Sequence, residues 1–244
     1  MTYTDIIETI QENGDSRAIE SLKRLNVDFK DRYYGWNLTN IAALSRQVKK
    51  HFVPSSQIQD LHELALKLWE SGSLDAKMLA IHIDDPKKVT EEQVDEWVKG
   101  LSYAYIVNKF TSLLVSKQPY AIKKMYEWVE TDDEMVQRAG WAIVIGLANN
   151  SNLPDKVFEE LLQKIEDRIQ NAYNWSKELM NWAIIQIGAR NEHLNEVALA
   201  ATKRIGTIRV DYGDTSCTTP NAMGMLTSKR VKDKIKHRKR LLGD

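Results

Sequence analysis

Apolar residues recur along most of the chain with the spacing of amphipathic helices. Near the start, Ala18, Ile19, Leu22 and Leu25 follow the i, i+3, i+4, i+7 pattern of one helix face. Similar periodicity predicts about twelve helices, including ones over about 38–48, 54–68, 73–84, 90–99, 101–116, 119–130, 133–149, 155–169, 175–190 and 193–206. Only Thr207–Asp211 looks extended, in a loop rich in Gly, Thr and Pro, so we predict an all-α protein.

Helix starts can be placed from side chains that accept backbone N–H groups. Ser73 and Thr90 are predicted N-caps, and Gln93, three residues after Thr90, completes the pattern of a capping box. Pro54, with two serines after it, is the predicted start of the helix that carries Leu61 and Leu68.

An internal repeat distinguishes a stack of helix pairs from a simple bundle. Trp-Ala-Ile occurs at 141–143 and again at 182–184, 41 residues later, and apolar residues continue in both copies. HEAT and armadillo repeats have periods of about 40–47 residues. The pattern favours an α-solenoid of about six HEAT-like antiparallel helix pairs, forming a curved superhelix with a concave binding face.

Composition narrows the class of protein. The 11 glycines and 5 prolines are few for 244 residues, which favours helices. One cysteine, Cys217, cannot form an intramolecular disulfide, and the opening residues 1–10 lack the basic-then-apolar pattern of a signal peptide. No apolar run approaches the roughly 18 residues that span a bilayer. We therefore expect a cytoplasmic protein without a membrane segment.

The net charge of zero hides an uneven distribution. Residues 228–244 hold eight Lys/Arg and two Asp, a net charge of +6, which leaves 26 basic against 32 acidic residues in 1–227. We expect one helical-repeat domain over 1–227 followed by a basic C-terminal tail or helix over 228–244. The tail is either a nucleic-acid contact or a solvated helix end.

The common catalytic and metal motifs are absent. The chain has no GxSxG, GxxxxGK[ST], GxGxxG or HExxH, and its five histidines are scattered. His82, Asp84 and Asp85 could be ligands, but a carboxylate pair before Pro86 is more simply a helix terminus. No histidine lies near Cys217 to activate its thiol. We expect no metal and no small-molecule cofactor.

Two tryptophans and one arginine lie on apolar helices. Trp141 and Trp182 are candidates either for the core or for a binding site, because helices that are apolar nearly all round are usually buried. Arg138 could bind a ligand or simply pair with Glu134, one helical turn earlier.

Several stretches resemble the DNA alkylation repair family, the AlkD-like glycosylases built of HEAT-like repeats. The resemblance spans roughly 30–225 and is most specific in an ungapped stretch that helix periodicity does not explain. It rests on Trp128, Arg138–Ala142, Met180–Ala183, Ile187–Gly188, Ile205–Gly206 and Val210–Pro220. The loop at 211–220 either caps the last repeat or contacts DNA.

The resemblance implies removal of purines alkylated at N3 or N7 from duplex DNA held on the concave face. Such a lesion is already a cationic leaving group, so the protein must stabilise an oxocarbenium-like sugar and orient water rather than supply an acid. In the family, an Asp and a Trp on a central helix, a second Trp on a later helix and an Arg do this work.

These family positions are only partly matched. Arg138 fits the arginine that holds backbone phosphate, and Trp182 fits the later tryptophan. Asn108 stands where the family has its Asp, and Ala104 where it has the first Trp. An Asn can orient water but offers no anion to a developing cation. The rings of Tyr103 or Tyr105 could take the place of the missing tryptophan.

Three functions remain open at this stage. The first is a glycosylase of reduced or altered activity, with Asn108, Trp182, Tyr103 and Tyr105 as its catalytic candidates. The second is a non-catalytic binder of damaged, bent or branched DNA, and the third is a HEAT-type scaffold that binds protein. For both DNA hypotheses we expect a monomer that contacts duplex DNA, alkylated DNA included, through a basic face drawn from Arg46, Lys49, Lys50, Lys109, Arg138 and Arg190.

Overall fold

The computed structural model describes residues 1–27, 29–150 and 152–242. These residues contain fourteen α-helices and no β-strand, with one isolated bridge between Arg32 and Ser73. The all-α prediction is confirmed. The chain divides into two compact units: a first unit of Met1–Pro119 with Tyr212–Thr215, and a second unit of Tyr120–Asp211 with Ser216–Asp244.

The first unit contains seven α-helices and one π-helical segment among its described residues. The fifth helix is central to its packing: the third and fourth helices both pack against it, and the first and seventh also contact it. The elements are α1 (Tyr3–Glu12), α2 (Ser16–Arg24), α3 (Leu38–His51), α4 (Leu61–Trp69), α5 (Leu74–Ile83), α6 (Glu91–Lys99), α7 (Ala104–Phe110) and the π-helical segment Thr111–Val115.

Both predicted N-caps are present, but the capping box is incomplete. The hydroxyl of Ser73 accepts the N–H of Ala76 at 3.2 Å, and that of Thr90 accepts the N–H of Gln93 at 3.1 Å. The Gln93 amide does not return to residue 90; it donates to Asp84 at 2.8 Å. The buried carboxylate of Asp84 therefore replaces the backbone partner that the local pattern predicted.

The predicted start of a helix at Pro54 is wrong. Helix α4 begins at Leu61, because the Asp60 carboxylate accepts the N–H groups of His62 and Glu63 at 2.9 and 3.0 Å. An Asp at this position caps a helix N-terminus more effectively than a proline several residues earlier.

The structure also differs from the single helix predicted over 101–116. Helix α7 ends at Phe110, and the chain continues as the π-helical segment Thr111–Val115. The carbonyl of Thr111 accepts both the N–H and the hydroxyl of Ser116, at 2.8 and 2.9 Å, which is the five-residue spacing of a π-turn. Short π segments often occur at functional sites.

The second unit contains seven α-helices and a short 3₁₀ turn. The longest two, α9 and α11, pack against each other and carry the two Trp-Ala-Ile copies. The elements are α8 (Ala121–Trp128), α9 (Glu134–Asn150), α10 (Asp155–Arg168), a 3₁₀ turn (Ile169–Asn171), α11 (Asn174–Gly188), α12 (Glu192–Ile205), α13 (Ala222–Thr227) and α14 (Lys229–Leu242).

The glycine in the Arg138–Ala142 stretch, Gly140, lies where α9 comes close to α8. A Cβ atom at this position would lie 2.7 Å from the backbone nitrogen of Val129, closer than real Cβ contacts allow. Glycine therefore lets α9 approach the end of α8, and any larger residue would push the two helices apart.

Two asparagines of α11 hold the irregular segment that follows α12. The Asn174 amide bonds both the C=O and the N–H of Asp211, each at 2.7 Å. The Asn181 amide nitrogen donates to the C=O of Pro220 at 2.9 Å. These bonds satisfy backbone groups that no regular element pairs.

The predicted basic tail forms helix α14 as far as Leu242, and residues 243–244 lie outside the described residues. That 1–227 folds as one domain stays a prediction. In the part of the chain that the structure describes, no helix is both long and apolar enough to cross a membrane.

Candidate nucleic-acid interface

Three predicted DNA-contacting residues lie at the C-terminal end of α3. Arg46, Lys49 and Lys50 are all exposed, and Lys49, Lys50 and His51 occupy the last turn. Cations are favourable there because the helix macrodipole is negative at its C-terminus. The amphipathic pattern places Val48 in the core and so turns its lysine neighbours outward.

Helix α7 and the residue before it supply four candidates: Tyr103, Tyr105, Asn108 and Lys109. Tyr103 precedes the helix, and its ring meets that of Tyr105 edge to face, with centroids 5.6 Å apart and an angle of 64°. Asn108 is partly buried and Lys109 is exposed. Ala104 is 2% exposed, so position 104 contributes to the core and adds nothing to the surface.

His82 on α5 shows that the basic residues of α3 and α7 converge. Its Nδ1 lies 2.8 Å from the carbonyl oxygen of Met78. Burial lowers the pKa of His82, and the nearby charges of Lys109 and Lys49 lower it further. Lys49 of α3 and Lys109 of α7 therefore both lie near His82 of α5, and we call these three residues the basic cluster. Because its pKa is lowered, His82 is itself mostly neutral at neutral pH, and the positive charge comes from the two lysines. The sequence did not reveal the place of His82 in this cluster.

Further aromatic rings accompany Tyr103. Burial raises the pKa of Tyr33, with added repulsion from Asp75 and Tyr103, so Tyr33 and Tyr103 are close enough to interact electrostatically. The rings of Tyr33 and Phe29 stack with centroids 5.3 Å apart. Sequence reasoning missed both residues, although the dense aromatics of the segment 29–36 were a usable signal.

Arg138 of the second unit is completely buried. Its guanidinium lies 2.8 Å from the Glu178 carboxylate and donates to the carbonyl of Trp175, both on α11. Glu134 does not pair with Arg138; its carboxylate accepts the N–H of Trp175 at 2.6 Å. The alternative of an Arg138–Glu134 pair is therefore wrong, and a phosphate contact by Arg138 would require its bonds to α11 to open.

Arg190 follows α11 and is 6% exposed. Its guanidinium donates to the carbonyl of Ala148 at 2.8 Å and lies over the Phe158 ring, 4.1 Å from the centroid. Burial and the charge of Arg238 lower the pKa of Arg190 to about 10. Like Arg138, it is engaged inside the protein, and its role in DNA binding stays a prediction.

Trp141 and Trp182 have different environments although they occupy equivalent repeat positions. Trp141 is fully buried, whereas Trp182 on α11 is only partly buried. Trp141 therefore belongs to the core, and Trp182 keeps a surface that a ligand could touch.

The candidate ligands His82, Asp84 and Asp85 do not face a common point. His82 is bonded to Met78, as above, while the Asp84 carboxylate lies 2.7 Å from Nδ1 of His62. Burial raises the pKa of Asp84, an effect that its bonds to His62 and Gln93 oppose. No group of three metal-ligating side chains occurs among the residues that the structure describes.

Known proteins resemble the chain over most of its length. It is 30% identical over 188 residues to the uncharacterized protein Lmo0209 of Listeria monocytogenes, covering 76% of this chain and 81% of that one. It is 31% identical over 182 residues to the uncharacterized protein Lin0241 of Listeria innocua, covering 74% and 80%.

A solved structure has the same fold. It is described as a member of a new family of proteins related to the HEAT-like repeat DNA glycosylases with affinity for branched DNA structures. The TM-score is 0.77, with 20% identity and 96% of each chain covered. The predicted HEAT-like helical fold is thus confirmed. The model of the DNA alkylation repair enzyme family matches residues 6–220. This chain belongs to the DNA alkylation repair enzyme family.

Proposed function

We propose that this protein acts in DNA repair by binding duplex DNA, with its first contacts on Arg46, Lys49 and Lys50 of α3 and Lys109 of α7. The observation that carries the proposal is the basic cluster, in which the exposed Lys49 and Lys109, on two helices, both act on His82 of a third. Like charges held near one another repel in the unbound protein, and an anion such as DNA phosphate relieves that repulsion.

The contacts are assigned according to burial. Arg46 and Lys50 flank Lys49 on α3 and are exposed, so they can reach phosphate without rearrangement. Arg138 and Arg190 would join only after their buried bonds open, and the proposal therefore gives them no part in the initial encounter. Affinity should depend steeply on salt, because each neutralised phosphate releases counterions.

The structural relative suggests which DNA is bound. That protein is described as having affinity for branched DNA structures. Junctions present bent backbones and closely spaced phosphates, which a protein can recognise by shape and charge without reading bases. We propose that this chain also binds branched or distorted duplexes more tightly than a straight duplex.

We propose that the protein binds DNA but excises bases weakly. Residues 101–120, which include α7 and the π-helical segment, contain no Asp or Glu. Asn108 therefore offers an amide where the family resemblance leads one to expect a carboxylate, and the exposed charge of Lys109 follows it directly. Neither group stabilises a developing cation, so binding without efficient excision is the function that the site supports best.

A glycosylase of altered activity remains the second candidate. Tyr103, just before α7, and Tyr105 on α7 form an edge-to-face pair ahead of Asn108, and an aromatic face attracts a cationic sugar or base. In that case Asn108 would orient water, and the partly buried Trp182 would contact the lesion.

We also propose a compartment and an oligomeric state for the protein. A lone, exposed Cys217 is compatible with a reducing compartment, which supports the cytoplasm. We propose a monomer as the acting form, without a cofactor.

Two assays on the full chain test the proposal. Fluorescence anisotropy with a straight duplex and a four-way junction should show salt-dependent binding that is tighter for the junction. Release of methylated purines from alkylated duplex DNA should be weak or absent for wild type and increase for Asn108→Asp, with heat-inactivated protein as the control.

Each outcome has a definite meaning. Absent or salt-independent DNA binding would contradict the proposal and favour a protein-binding scaffold. Efficient purine release by wild type would make the chain a glycosylase that needs no carboxylate. Release by neither protein, with intact DNA binding, would leave the binding function and remove Asn108 as the missing catalytic position.

A further inference from the structure

Helix α14 presents a concentrated positive charge on the surface of the second unit. Asp233 is its only acidic residue, and the six exposed basic side chains are Lys229, Arg230, Lys232, Lys236, Lys239 and Arg240. The helix lies beyond residue 220, where the match to the family model ends. The family domain therefore does not account for this charge.

The helix is docked, so its charges have fixed positions. Val231 and Ile235 are each 6% exposed and form an apolar cluster with Ala189. Lys234 donates to the side-chain oxygen of Asn149 at 2.6 Å. Arg238 donates to the carbonyls of Ala148 and Asn149, at 3.2 and 3.1 Å. These four side chains, on one side of α14, hold it against the unit.

Four exposed cations form a stripe on α14. Lys229, Lys232, Lys236 and Arg240 are separated by three, four and four residues, the spacings that place side chains on one helix face. At 1.5 Å per residue the stripe is about 16 Å long. We call these four residues the α14 stripe.

Positive charges around α14 repel one another in the unbound protein. Burial lowers the pKa of Lys234, and Arg238 and Arg230 lower it further. Arg238 also contributes to the lowered pKa of Arg190. An anionic partner near α14 would relieve this repulsion, since it favours the charged forms of Lys234, Arg230 and Arg238.

We propose that the α14 stripe binds the phosphate backbone of duplex DNA, as a second contact region outside the family domain. This inference rests on the proposed function, since it assumes that the protein binds DNA. A docked helix loses little conformational entropy on binding, whereas a flexible basic tail would have to be ordered. Backbone contacts of this kind strengthen binding to any sequence and carry no base specificity.

The test removes the stripe and measures the salt dependence of DNA binding by the full chain. The variant carries Lys229→Gln, Lys232→Gln, Lys236→Gln and Arg240→Gln. The slope of log K against log salt should decrease in magnitude by about three to four units if all four cations contact phosphates. Affinity for both duplex and junction should fall together, because phosphate contacts do not depend on sequence.

A matched variant controls for the change in net charge. It removes four exposed lysines of the first unit by Lys67→Gln, Lys87→Gln, Lys99→Gln and Lys117→Gln. We expect its slope to change by less than half as much. The stripe variant should melt close to wild type, because the four side chains are exposed and the buried anchors stay intact.

The results separate this inference from the proposed function. If wild type binds DNA with a steep salt slope and the stripe variant keeps that slope, α14 is not a DNA contact and the proposed function stands. If wild type does not bind DNA, both fail. A stripe variant that loses binding to polyglutamate or to anionic vesicles but keeps the DNA slope would overturn the inference in favour of another acidic partner.

Discussion

The buried arginines of the second unit and the exposed lysines of the first unit show how similar charges serve different purposes. Arg138 is completely buried and lies 2.8 Å from the Glu178 carboxylate. Lys49 and Lys109 are exposed, and their charges act on His82. Both sets were candidates for the same role in DNA binding. Burial divides them into residues that hold helices together and residues that an anion can reach.

The energetic consequence of removing a charge differs between the two sets. A buried ion pair gains little over apolar packing, but removing one partner leaves the other charge desolvated and uncompensated. An exposed lysine is solvated in the unbound protein, so its removal changes folding little and changes association with polyanions more. The comparison can therefore be tested by measuring stability and DNA affinity on the same variants.

The largest expected effect is on stability, at the buried pair. Arg138→Ala should lower the free energy of unfolding by about 3–5 kcal/mol, because the Glu178 carboxylate is 7% exposed and loses its partner. Urea unfolding followed by circular dichroism measures the change.

A double variant provides the control for Arg138. Arg138→Met with Glu178→Met removes both charges and keeps apolar volume, so most of the lost stability should return. Loss of less than about 1 kcal/mol in Arg138→Ala would contradict the assignment of this arginine to the fold.

An intermediate effect is expected at the exposed lysines, on DNA binding alone. Lys49→Gln with Lys109→Gln should reduce the salt slope of duplex binding by about two units while stability changes by less than about 0.5 kcal/mol. Anisotropy titrations over a series of salt concentrations give the slope. An unchanged slope would show that these two lysines do not contact DNA. The contrast between buried and exposed charges would then fail for the exposed set.

The smallest expected effect is the dependence of stability and DNA affinity on pH that the titration of His82 causes. Its folded pKa lies below the unfolded value, so the unfolded state binds the proton more readily. Stability should therefore fall as the pH falls through the unfolded pKa of about 6.5 towards the folded pKa. A bound phosphate favours the protonated ring, so DNA affinity should rise over the same pH range.

His82→Gln should remove the rise in DNA affinity and reduce the loss of stability at low pH, as measured by anisotropy and thermal melting between about pH 5 and 8. The matched control is His193→Gln, since His193 is exposed and its pKa is raised by Glu159. If His82→Gln keeps the wild-type rise in DNA affinity, His82 does not face the bound phosphate.

Local sequence signals predicted local structure well. Ser73 and Thr90 cap the helices assigned to them, because an N-cap depends on side chains a few residues apart. Lys49, predicted to belong to a basic face, is exposed beside the buried Val48. The side chain of Gln93 was misplaced because its partner, Asp84, comes from outside the helix.

The residues of the candidate site come together through contacts between segments that are far apart in sequence. Hydrophobic periodicity does not predict such contacts. Arg138 and Glu178 are 40 residues apart in sequence, and each stands at the start of a largely apolar segment of its helix. Two opposite charges on such helices were a usable sign of a buried pair, since charged residues are rarely buried without a partner. The approach of Lys49 and Lys109 to His82 depends on how α3, α5 and α7 align, which the sequence alone does not fix.

The docking of α14 also has a dynamic consequence. Among the α14 side chains that the structure describes, two apolar ones, Val231 and Ile235, are buried, and a few polar bonds add to the attachment of this 14-residue helix. Such an element opens locally at a lower free energy than the core around α9 and α11. Trypsin cleaves after Lys and Arg, in which this helix is rich, so each opening exposes cleavage sites to a protease. A bound polyanion would stabilise the docked helix and slow its cleavage. The rate of trypsin cleavage therefore reports how much of the protein has polyanion bound to α14.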